Sequence, residues 1–374
     1  IFFRTNVVVV CFLKHVAASS PMGSSTTPLN STFIGGVLFI LVVVWVLWQQ
    51  LAATPHKPLN PTVTLNNGQR MPMLGLGTWM SKNGSGDAVR HALKVGYRHI
   101  DTAYIYMNEA GIGEELSKIG ELGLRREDLF ITTKLWIQEM DPGDVRPALQ
   151  RSLRDLQFTY VDLYLVHWPV AVRKGADMQH LHRSDFLDIP LLDTWRAMEA
   201  LVDDSLAKAI GVSNFGVHHL EPLLRSARIR PVVNQVELHP LLAQPELLSY
   251  CKSQGIILTA YAPLGSPGRP PWQVVHNDVA EVLTHPVVAE IAKKYARTPA
   301  QVLIRWAIDR GTVVIPKSAK PHRIEENFEC LMFQLAAADV HRLSSLNSNT
   351  RVLQGRKFWE PRGLSYEDFW GHSS

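Results

Sequence analysis

The chain alternates between short apolar runs rich in β-branched residues and longer stretches of mixed polarity. Eight apolar runs follow one another: Met73–Gly77, Tyr97–Thr102, Leu129–Lys134, Val161–His167, Ala207–Ser213, Pro231–Glu237, Gly255–Ala260 and Thr312–Pro316. Runs of this length are typical of strands buried on both faces of a parallel sheet. The stretches between them, such as Gly84–Val95 and Asp144–Leu156, are predicted to be helices. We therefore predict strand–helix alternation through most of the chain.

Polar residues stand at the carboxyl ends of several predicted strands. Asp101 lies near the end of the second strand, Lys134 ends the third and His167 ends the fourth, while Lys317 follows the eighth. Chemistry gathered at the carboxyl ends of alternating parallel strands is typical of a (β/α)8 barrel, the TIM-barrel architecture. We therefore predict an α/β fold with one such barrel over residues 62–374.

Two local signals bear on this fold. The segment Val63–Met71 predicts a β-hairpin before the first barrel strand, with Asn67-Gly68 in a type I′ turn. The pair Gly111 and Gly113 is the one hint of the rival fold, a doubly wound Rossmann sheet. That pair follows a loop rather than a strand and lacks a third glycine at the required spacing, so we favour the barrel.

Composition bears on the number of domains, the partners and the compartment of the protein. With 374 residues, 46% hydrophobic and 19% charged, the chain can build one large core, and barrels of about 250 residues fold as single domains. The formal net charge of +4 is small, and the sequence has no run of Lys and Arg residues. Both observations argue against a nucleic-acid partner. The cysteines Cys11, Cys251 and Cys330 lack metal-ligand or redox spacing, so we expect no metal site and a reducing compartment.

The amino-terminal region carries a separate signal. Residues 33–48 form an unbroken apolar run, and with its flank to residue 53 it is long enough to span a bilayer of ~30 Å. Trp45 and Trp48 near one end suit the membrane interface. We predict a transmembrane anchor over residues 33–53 and a proline-containing linker over residues 54–61. The alternatives are a signal peptide removed after Ala53 and an unused upstream extension.

The start of the chain bears on its orientation. Because the sequence begins with Ile1, we expect translation to start at Met22, which leaves residues 1–32 as a tail that is partly untranslated or disordered. Lys57 and Arg70 then follow the span and no basic residue precedes it. The positive-inside tendency therefore places the barrel on the cytosolic side of a membrane. Without the extension we expect a soluble cytosolic protein.

Four segments together resemble the aldo-keto reductase family, close to aldose and aldehyde reductases. They are residues 97–109, 131–136, 164–169 and 313–318, and the resemblance runs from about Thr62 to Val352. It implies a catalytic tetrad of Asp101, Tyr106, Lys134 and His167, and NADPH-dependent reduction of aldehydes or ketones to alcohols. It also implies a small-molecule carbonyl substrate and a monomeric barrel.

The chemistry of carbonyl reduction gives these residue types a role. The carbonyl oxygen needs a proton from an acid within hydrogen-bond reach. Tyrosine is a poor acid at neutral pH unless a cation stabilises its phenolate; Lys134 can supply that cation, and Asp101 can orient the lysine. His167 can position the carbonyl. Tyr104 is a second candidate acid, but the family spacing from the aspartate selects Tyr106.

The resemblance also implies contacts to the nicotinamide end of the cofactor. The residues concerned are Gly77, Thr78, Trp79, Asp101, Ser213, Asn214, Gln235, Tyr261, Leu264 and Ser266. Ser213, Asn214 and Gln235 match family residues that hydrogen-bond the carboxamide, and Tyr261 matches the tyrosine that stacks on the ring. From residue type alone, Ser213 and Asn214 are equally suited to cap a helix.

The segment after the eighth strand implies NADPH/NADP+ rather than NAD(H). By resemblance Lys317, Ser318 and Arg323 bind the adenosine 2′-phosphate, while Glu326 and Asn327 hold the adenine. A phosphate dianion is well matched by Lys and by the forked guanidinium of Arg. The alternative is a solvated basic loop.

Substrate choice is expected to lie in segments over the barrel mouth, residues 169–192, 266–283 and 351–374. We expect Trp79, Tyr106, His167 and Trp168 to contact the substrate, with Trp272 and Trp359 nearby. These aromatic residues indicate an apolar carbonyl compound. An alternative function is a nicotinamide-binding sensor subunit of a membrane protein with little turnover.

Overall fold

A computed structural model describes residue 44 and the ranges 59–81, 84–267 and 282–371. The chain divides into two units, Ile1–His56 and Lys57–Ser374, and the architecture below belongs to the second. The predicted anchor over residues 33–53 lies outside the described residues except for Val44, as does most of the linker. Among the described residues, no helix is long and apolar enough to cross a membrane.

Twelve strands are present in the described part of the chain. They are β1 (Thr62–Thr64), β2 (Arg70–Pro72), β3 (Leu76–Gly77), β4 (His99–Asp101), β5 (Phe130–Leu135), β6 (Leu163–Val166), β7 (Ala171–Val172), β8 (Phe186–Leu187), β9 (Ile210–Ser213), β10 (Val233–Glu237), β11 (Ile257–Tyr261) and β12 (Val313–Val314). Eight of them form one parallel sheet in the order β12-β11-β10-β9-β6-β5-β4-β3. Each of the eight falls within one of the predicted apolar runs or overlaps it.

The sheet closes on itself between its first and last strands. Leu74 pairs with Val314 and Gly77 with Lys317, both in parallel register. The Gly77 amide donates to the Pro316 carbonyl at 3.1 Å, and a Cβ at Gly77 would lie only 2.7 Å from the Ile315 oxygen. The predicted eight-stranded barrel is therefore confirmed, and Gly77 allows the close approach at its seam.

Helices connect the strands and surround the barrel. They are α1 (Ser85–Val95), α2 (Glu109–Leu116), α3 (Pro142–Leu156), α4 (Leu191–Asp203), α5 (Val217–Ser226), α6 (Pro245–Ser253), α7 (Pro286–Tyr295), α8 (Pro299–Asp309), α9 (Pro321–Phe328), α10 (Ala337–Ser344) and α11 (Tyr366–Trp370). The largest apolar cluster lies between them and the barrel, with Trp195 and Trp306 fully buried. A smaller cluster containing Leu65, Met71 and Phe130 fills the amino-terminal end of the barrel.

The predicted hairpin is present, but its predicted turn type is wrong. β1 and β2 pair antiparallel, with Val63 opposite Met71. The Gly68 amide donates to the Leu65 carbonyl at 2.9 Å, so the turn is centred one residue earlier than predicted. Gly68 has a φ of 86°, whereas Asn67 is not among the residues with positive φ that a type I′ turn requires.

The glycine pair that hinted at a Rossmann sheet has a packing role. Gly111 and Gly113 lie inside α2. A Cβ at Gly113 would lie 2.0 Å from the Asp155 oxygen at the end of α3. The glycine therefore lets two helices of the outer layer pack closely, and it is not part of a phosphate-binding loop.

Two segments pack together at the carboxyl end of the barrel. One is the insertion after β6, which includes the antiparallel pair β7 and β8. The other is the carboxyl-terminal segment 351–371, which we call the tail. Together they form an apolar cluster that includes Trp136, Val172, Leu181, Phe358, Trp359 and Phe369. We call it the mouth cluster.

Candidate active site

A buried ion pair lies at the carboxyl ends of β4 and β5. Lys134 Nζ is 2.6 Å from Asp101 Oδ1 and 2.8 Å from the Thr102 carbonyl, and the two side chains are almost fully buried. Tyr106 lies in the short 3-10 helix that follows β4, which brings its hydroxyl to 3.4 Å from Lys134 Nζ. Gln235 on β10 donates to the other Asp101 oxygen at 2.7 Å. Four residues predicted from three separate segments therefore meet at one point.

The electrostatics of this group differ from the expectation in one respect. Burial and the charge of Asp101 raise the pKa of Tyr106 well above 10, whereas we expected Lys134 to lower it. Burial also lowers the pKa of Lys134, although Asp101 opposes that effect. The reason is geometric, because Lys134 contacts Asp101 directly and stands farther from the phenol. The Tyr106 hydroxyl therefore keeps its proton at neutral pH.

His167 lies beside Tyr106. The two ring centroids are 5.8 Å apart with the planes at 74°. Burial and the neighbouring Lys134 hold the pKa of His167 well below 6.5, so its imidazole is neutral at physiological pH. Its Nδ1 is buried and has no hydrogen-bond partner among the described residues. A neutral imidazole can donate one hydrogen bond to a carbonyl oxygen without supplying a proton.

Trp136 is a site residue that the sequence reasoning missed. Its ring lies edge-on to His167 with the centroids 5.2 Å apart, and its buried Nε1 has no partner within the described chain. It comes two positions after Lys134, so the period-2 alternation of a strand could have pointed to it. Asn108 was also missed; it accepts from the Thr102 hydroxyl and donates to the Thr78 carbonyl, both at 2.9 Å.

The residues predicted to hold the nicotinamide carboxamide form a connected network. Ser213 donates to the Gln235 carbonyl at 2.8 Å, and Asn214 donates to the His167 carbonyl at 2.9 Å. The hydroxyl of the half-buried Tyr261 donates to Asn214 Oδ1 at 2.7 Å. Asn214 itself has a φ of 64°, a conformation that asparagine tolerates better than most residues.

This network argues against the alternative assignment, in which Ser213 and Asn214 cap a helix. The following helix α5 has Gly216 at its N-cap, and the Gly216 amide donates to His219 Nδ1 at 3.2 Å, so neither Ser213 nor Asn214 caps the helix. The capping interpretation is therefore wrong, because both side chains are engaged inside the barrel.

The predicted residues of the first loop lie beside this group. Thr78 is buried and its hydroxyl donates to the Asp101 carbonyl at 3.0 Å, while Trp79 is half-buried. The loop after β11 holds Leu264 and Ser266, both half-buried, and Ser266 has a φ of 51°. Trp272, predicted near the mouth, lies outside the described residues.

The predicted phosphate site lies at the barrel seam. Lys317 pairs in register with Gly77, and Ser318 accepts from the Lys320 amide at 3.1 Å just before α9. Lys317, Lys320 and Arg323 are exposed, and none of them pairs with a carboxylate in the described part of the chain. Desolvation lowers the pKa of Lys317. An uncompensated cation cluster of this kind fits a phosphate dianion.

The residues predicted to hold the adenine follow within the same helix. Glu326 accepts from the Thr298 hydroxyl at 2.6 Å, and Asn327 is buried. Glu326 therefore already has a protein partner, which fixes its carboxylate beside the start of α8.

Trp168 joins the site to the mouth cluster. Its ring is 4.8 Å from Phe358 and 5.8 Å from Trp370, both in the tail. Phe358 also lies 6.2 Å from Trp136, which contacts His167. An aromatic wall therefore extends from the tail to His167 and the buried ion pair.

Comparison with known proteins gives a consistent assignment. Residues 73–348 match the model of the aldo/keto reductase family. The chain is 48% identical over 315 residues to aldo-keto reductase family 1 member A1-A of Danio rerio, covering 80% of this chain and 96% of the relative. It is 46% identical to aldo-keto reductase family 4 member C11 of Arabidopsis thaliana, covering 79% of this chain and 91% of the relative.

A solved structure agrees with these sequence matches. The aldose reductase from Schistosoma japonicum superposes with a TM-score of 0.74 at 40% identity, covering 83% of this chain and 98% of that one. Proteins of this type are NADP-dependent oxidoreductases that act on carbonyl groups. The chain therefore belongs to the aldo/keto reductase family.

Proposed function

We propose that this protein reduces aldehydes or ketones to alcohols with NADPH, and that Tyr106 is the proton donor. The observation that carries the proposal is the contact of Lys134 Nζ with both Asp101 and the Tyr106 hydroxyl in a buried site. NADPH, when bound, supplies the hydride. Turnover of an aromatic aldehyde with consumption of NADPH, followed by absorbance, tests the function. An absence of turnover would favour a nicotinamide-binding sensor.

Each residue of the site has one task in this proposal. The Tyr106 hydroxyl gives its proton to the carbonyl oxygen, and the positive charge of Lys134 stabilises the phenolate that remains. Asp101 keeps Lys134 charged and oriented, since its second oxygen is held by Gln235. The neutral His167 donates a hydrogen bond that orients the carbonyl. Electrostatic stabilisation of this kind is strongest where water is excluded.

The cation cluster after β12 supports a preference for NADPH over NADH. Lys317, Ser318 and Arg323 would hold the 2′-phosphate, with Glu326 and Asn327 toward the adenine. The network formed by Ser213, Asn214, Gln235 and Tyr261 would hold the nicotinamide end of the cofactor.

Arg323→Met is expected to weaken NADPH binding by about 10–150-fold and NADH binding far less, because NADH lacks the phosphate that the guanidinium would pair with. Quenching of intrinsic fluorescence by each cofactor measures both constants. Arg196→Met is a matched control, since Arg196 is exposed on α4 and pairs with Asp193. Equal weakening of both cofactors would place Arg323 outside the phosphate site.

The aromatic wall supports an apolar carbonyl compound as substrate. Half-buried Trp168 directly follows His167 and packs on the buried Phe358, and half-buried Trp79 lies in the loop after β3. A large apolar aldehyde gains contact with this wall, whereas a sugar aldehyde exposes hydroxyl groups to it.

We further propose that residues 33–53 anchor the protein in a membrane with the barrel on the cytosolic side. The support is the apolar run and the basic residues that follow it. Protease treatment of intact microsomes should digest the barrel. A protected barrel, or one glycosylated at Asn83, would place it in the lumen.

A further inference from the structure

The carboxylate of Glu237 is buried where β10 ends, and neither the proton transfer nor the cofactor contacts above use it. Glu237 and His239 are each 0% exposed, and His239 Nε2 lies 3.0 Å from Glu237 Oε1. The other partners of this carboxylate belong to the tail. Glu237 Oε1 accepts from the Val352 amide at 2.6 Å, and Oε2 accepts from the Leu353 amide at 2.7 Å. One side chain therefore holds two consecutive tail amides.

The position of Glu237 links the tail to the catalytic group. Glu237 is two residues after Gln235, so both side chains lie on the same face of β10. Gln235 donates to Asp101, and Glu237 stands opposite Tyr261 in the strand register. Burial alone would raise the pKa of Glu237, but hydrogen bonding and charge from His239, together with Arg351 and the Val352 amide, hold it below its usual range. The carboxylate therefore remains ionised.

The two ends of the tail contact each other just before these amides. Arg351 stacks over the Trp370 ring at 3.7 Å, and its Nε donates to the Tyr366 hydroxyl at 3.2 Å. From the Glu237 bonds the tail proceeds to Phe358, whose ring packs on Trp168 and Trp136. The bonds at Glu237 are thus the point at which the tail leaves the barrel and begins to cross its mouth.

We propose that Glu237 is a positioning residue that holds the tail over the mouth and thereby sets the preference of the enzyme for large apolar carbonyl substrates. The inference rests on the proposed reductase function. A small aldehyde needs only Tyr106 and His167, whereas a large one also contacts the wall, in which the buried Phe358 of the tail supports the half-buried Trp168. Releasing the tail therefore removes the support of Trp168 and weakens the binding of large substrates alone.

Glu237→Gln tests this proposal, because it keeps the side-chain shape but turns an NH2 group toward an amide that needs an acceptor. The ratio of kcat/KM for 2-naphthaldehyde to that for propanal is expected to fall about tenfold, mainly through KM of the larger aldehyde. Trypsin should also cut faster after the exposed Arg356 and Lys357. Glu367→Gln, which alters an exposed tail carboxylate on α11, should change neither result. An unchanged ratio, an equal loss for both aldehydes, or unchanged cleavage would overturn the proposal.

Wild-type protein provides a test that needs no folded variant. The Val352 and Leu353 amides lie outside any helix or strand, yet they should exchange slowly with deuterium. Exchange at the rate of unprotected peptide would contradict the inference. Failure of the proposed function would look different, since the wild type would then turn over neither aldehyde while tail cleavage and exchange still reported on Glu237.

Discussion

Tyr106→Phe is expected to lower aldehyde reduction by about 10²–10⁴-fold while NADPH still binds, because the change removes the proton donor and keeps the ring. The phenol oxygen lies 3.4 Å from Lys134 Nζ, and the pKa of Tyr106 is raised well above 10, so the wild-type group carries a proton throughout the neutral range. Single-turnover reduction by the preformed NADPH complex measures the effect on chemistry directly.

Tyr104→Phe is the matched control for this result. Tyr104 is in the same 3-10 helix, but the guanidinium of Arg151 lies 3.5 Å above its ring, and that arginine is paired with Glu139. We expect near wild-type turnover in the control. A loss of activity in Tyr104→Phe with retention in Tyr106→Phe would show that the acid is misassigned.

Lys134→Met is expected to abolish reduction and to lower the free energy of unfolding by about 3–5 kcal/mol, because it leaves Asp101 buried without its cation. The Lys134 and Asp101 side chains are 0% and 2% exposed, so water cannot replace the lost partner. Urea unfolding followed by circular dichroism gives the stability, and the NADPH assay gives the activity.

The double variant Asp101→Asn/Lys134→Met separates the two effects. Removing both charges should restore most of the stability, since no isolated buried charge remains and Gln235 can still hydrogen-bond residue 101. Activity should stay absent, because the phenolate at Tyr106 would have no cation beside it. A double variant as unstable as Lys134→Met would mean that the lysine contributes through packing rather than charge.

The barrel and the clustering of its polar residues could be predicted from the sequence because their signals are local. An apolar run ending in Asp101 or Lys134 identifies a strand and its polar end, and barrel closure brings those ends together. The turn at Gly68 could not be predicted from the Asn-Gly pair, because the pair does not determine which residues the turn centres on. The roles of Ser213 and Asn214 also needed tertiary partners, since both types cap helices equally well.

The rest of the site depends on relations between distant segments. The direction of the Tyr106 pKa depends on a competition between burial, Asp101 and Lys134, and no spacing encodes that balance. The bonds of Glu237 to Val352 and Leu353 join β10 to the tail, and neither segment carries a motif for the other. The period-2 alternation of β5 could have predicted that Trp136 lies on the same face as Lys134. Its contact with His167 could not be predicted, because His167 follows the neighbouring strand.

The pairing of Gly77 with Lys317 at the seam of the barrel has a consequence for how the enzyme matures. The loop proposed to approach the nicotinamide and the cluster proposed to bind the phosphate come from opposite ends of the fold and become neighbours only when the last strand docks. Contacts so distant in sequence form slowly. A growing or truncated chain that lacks β12 should therefore not bind NADPH. During refolding, the time at which the protein gains affinity for the cofactor would report when the last step of barrel assembly occurs.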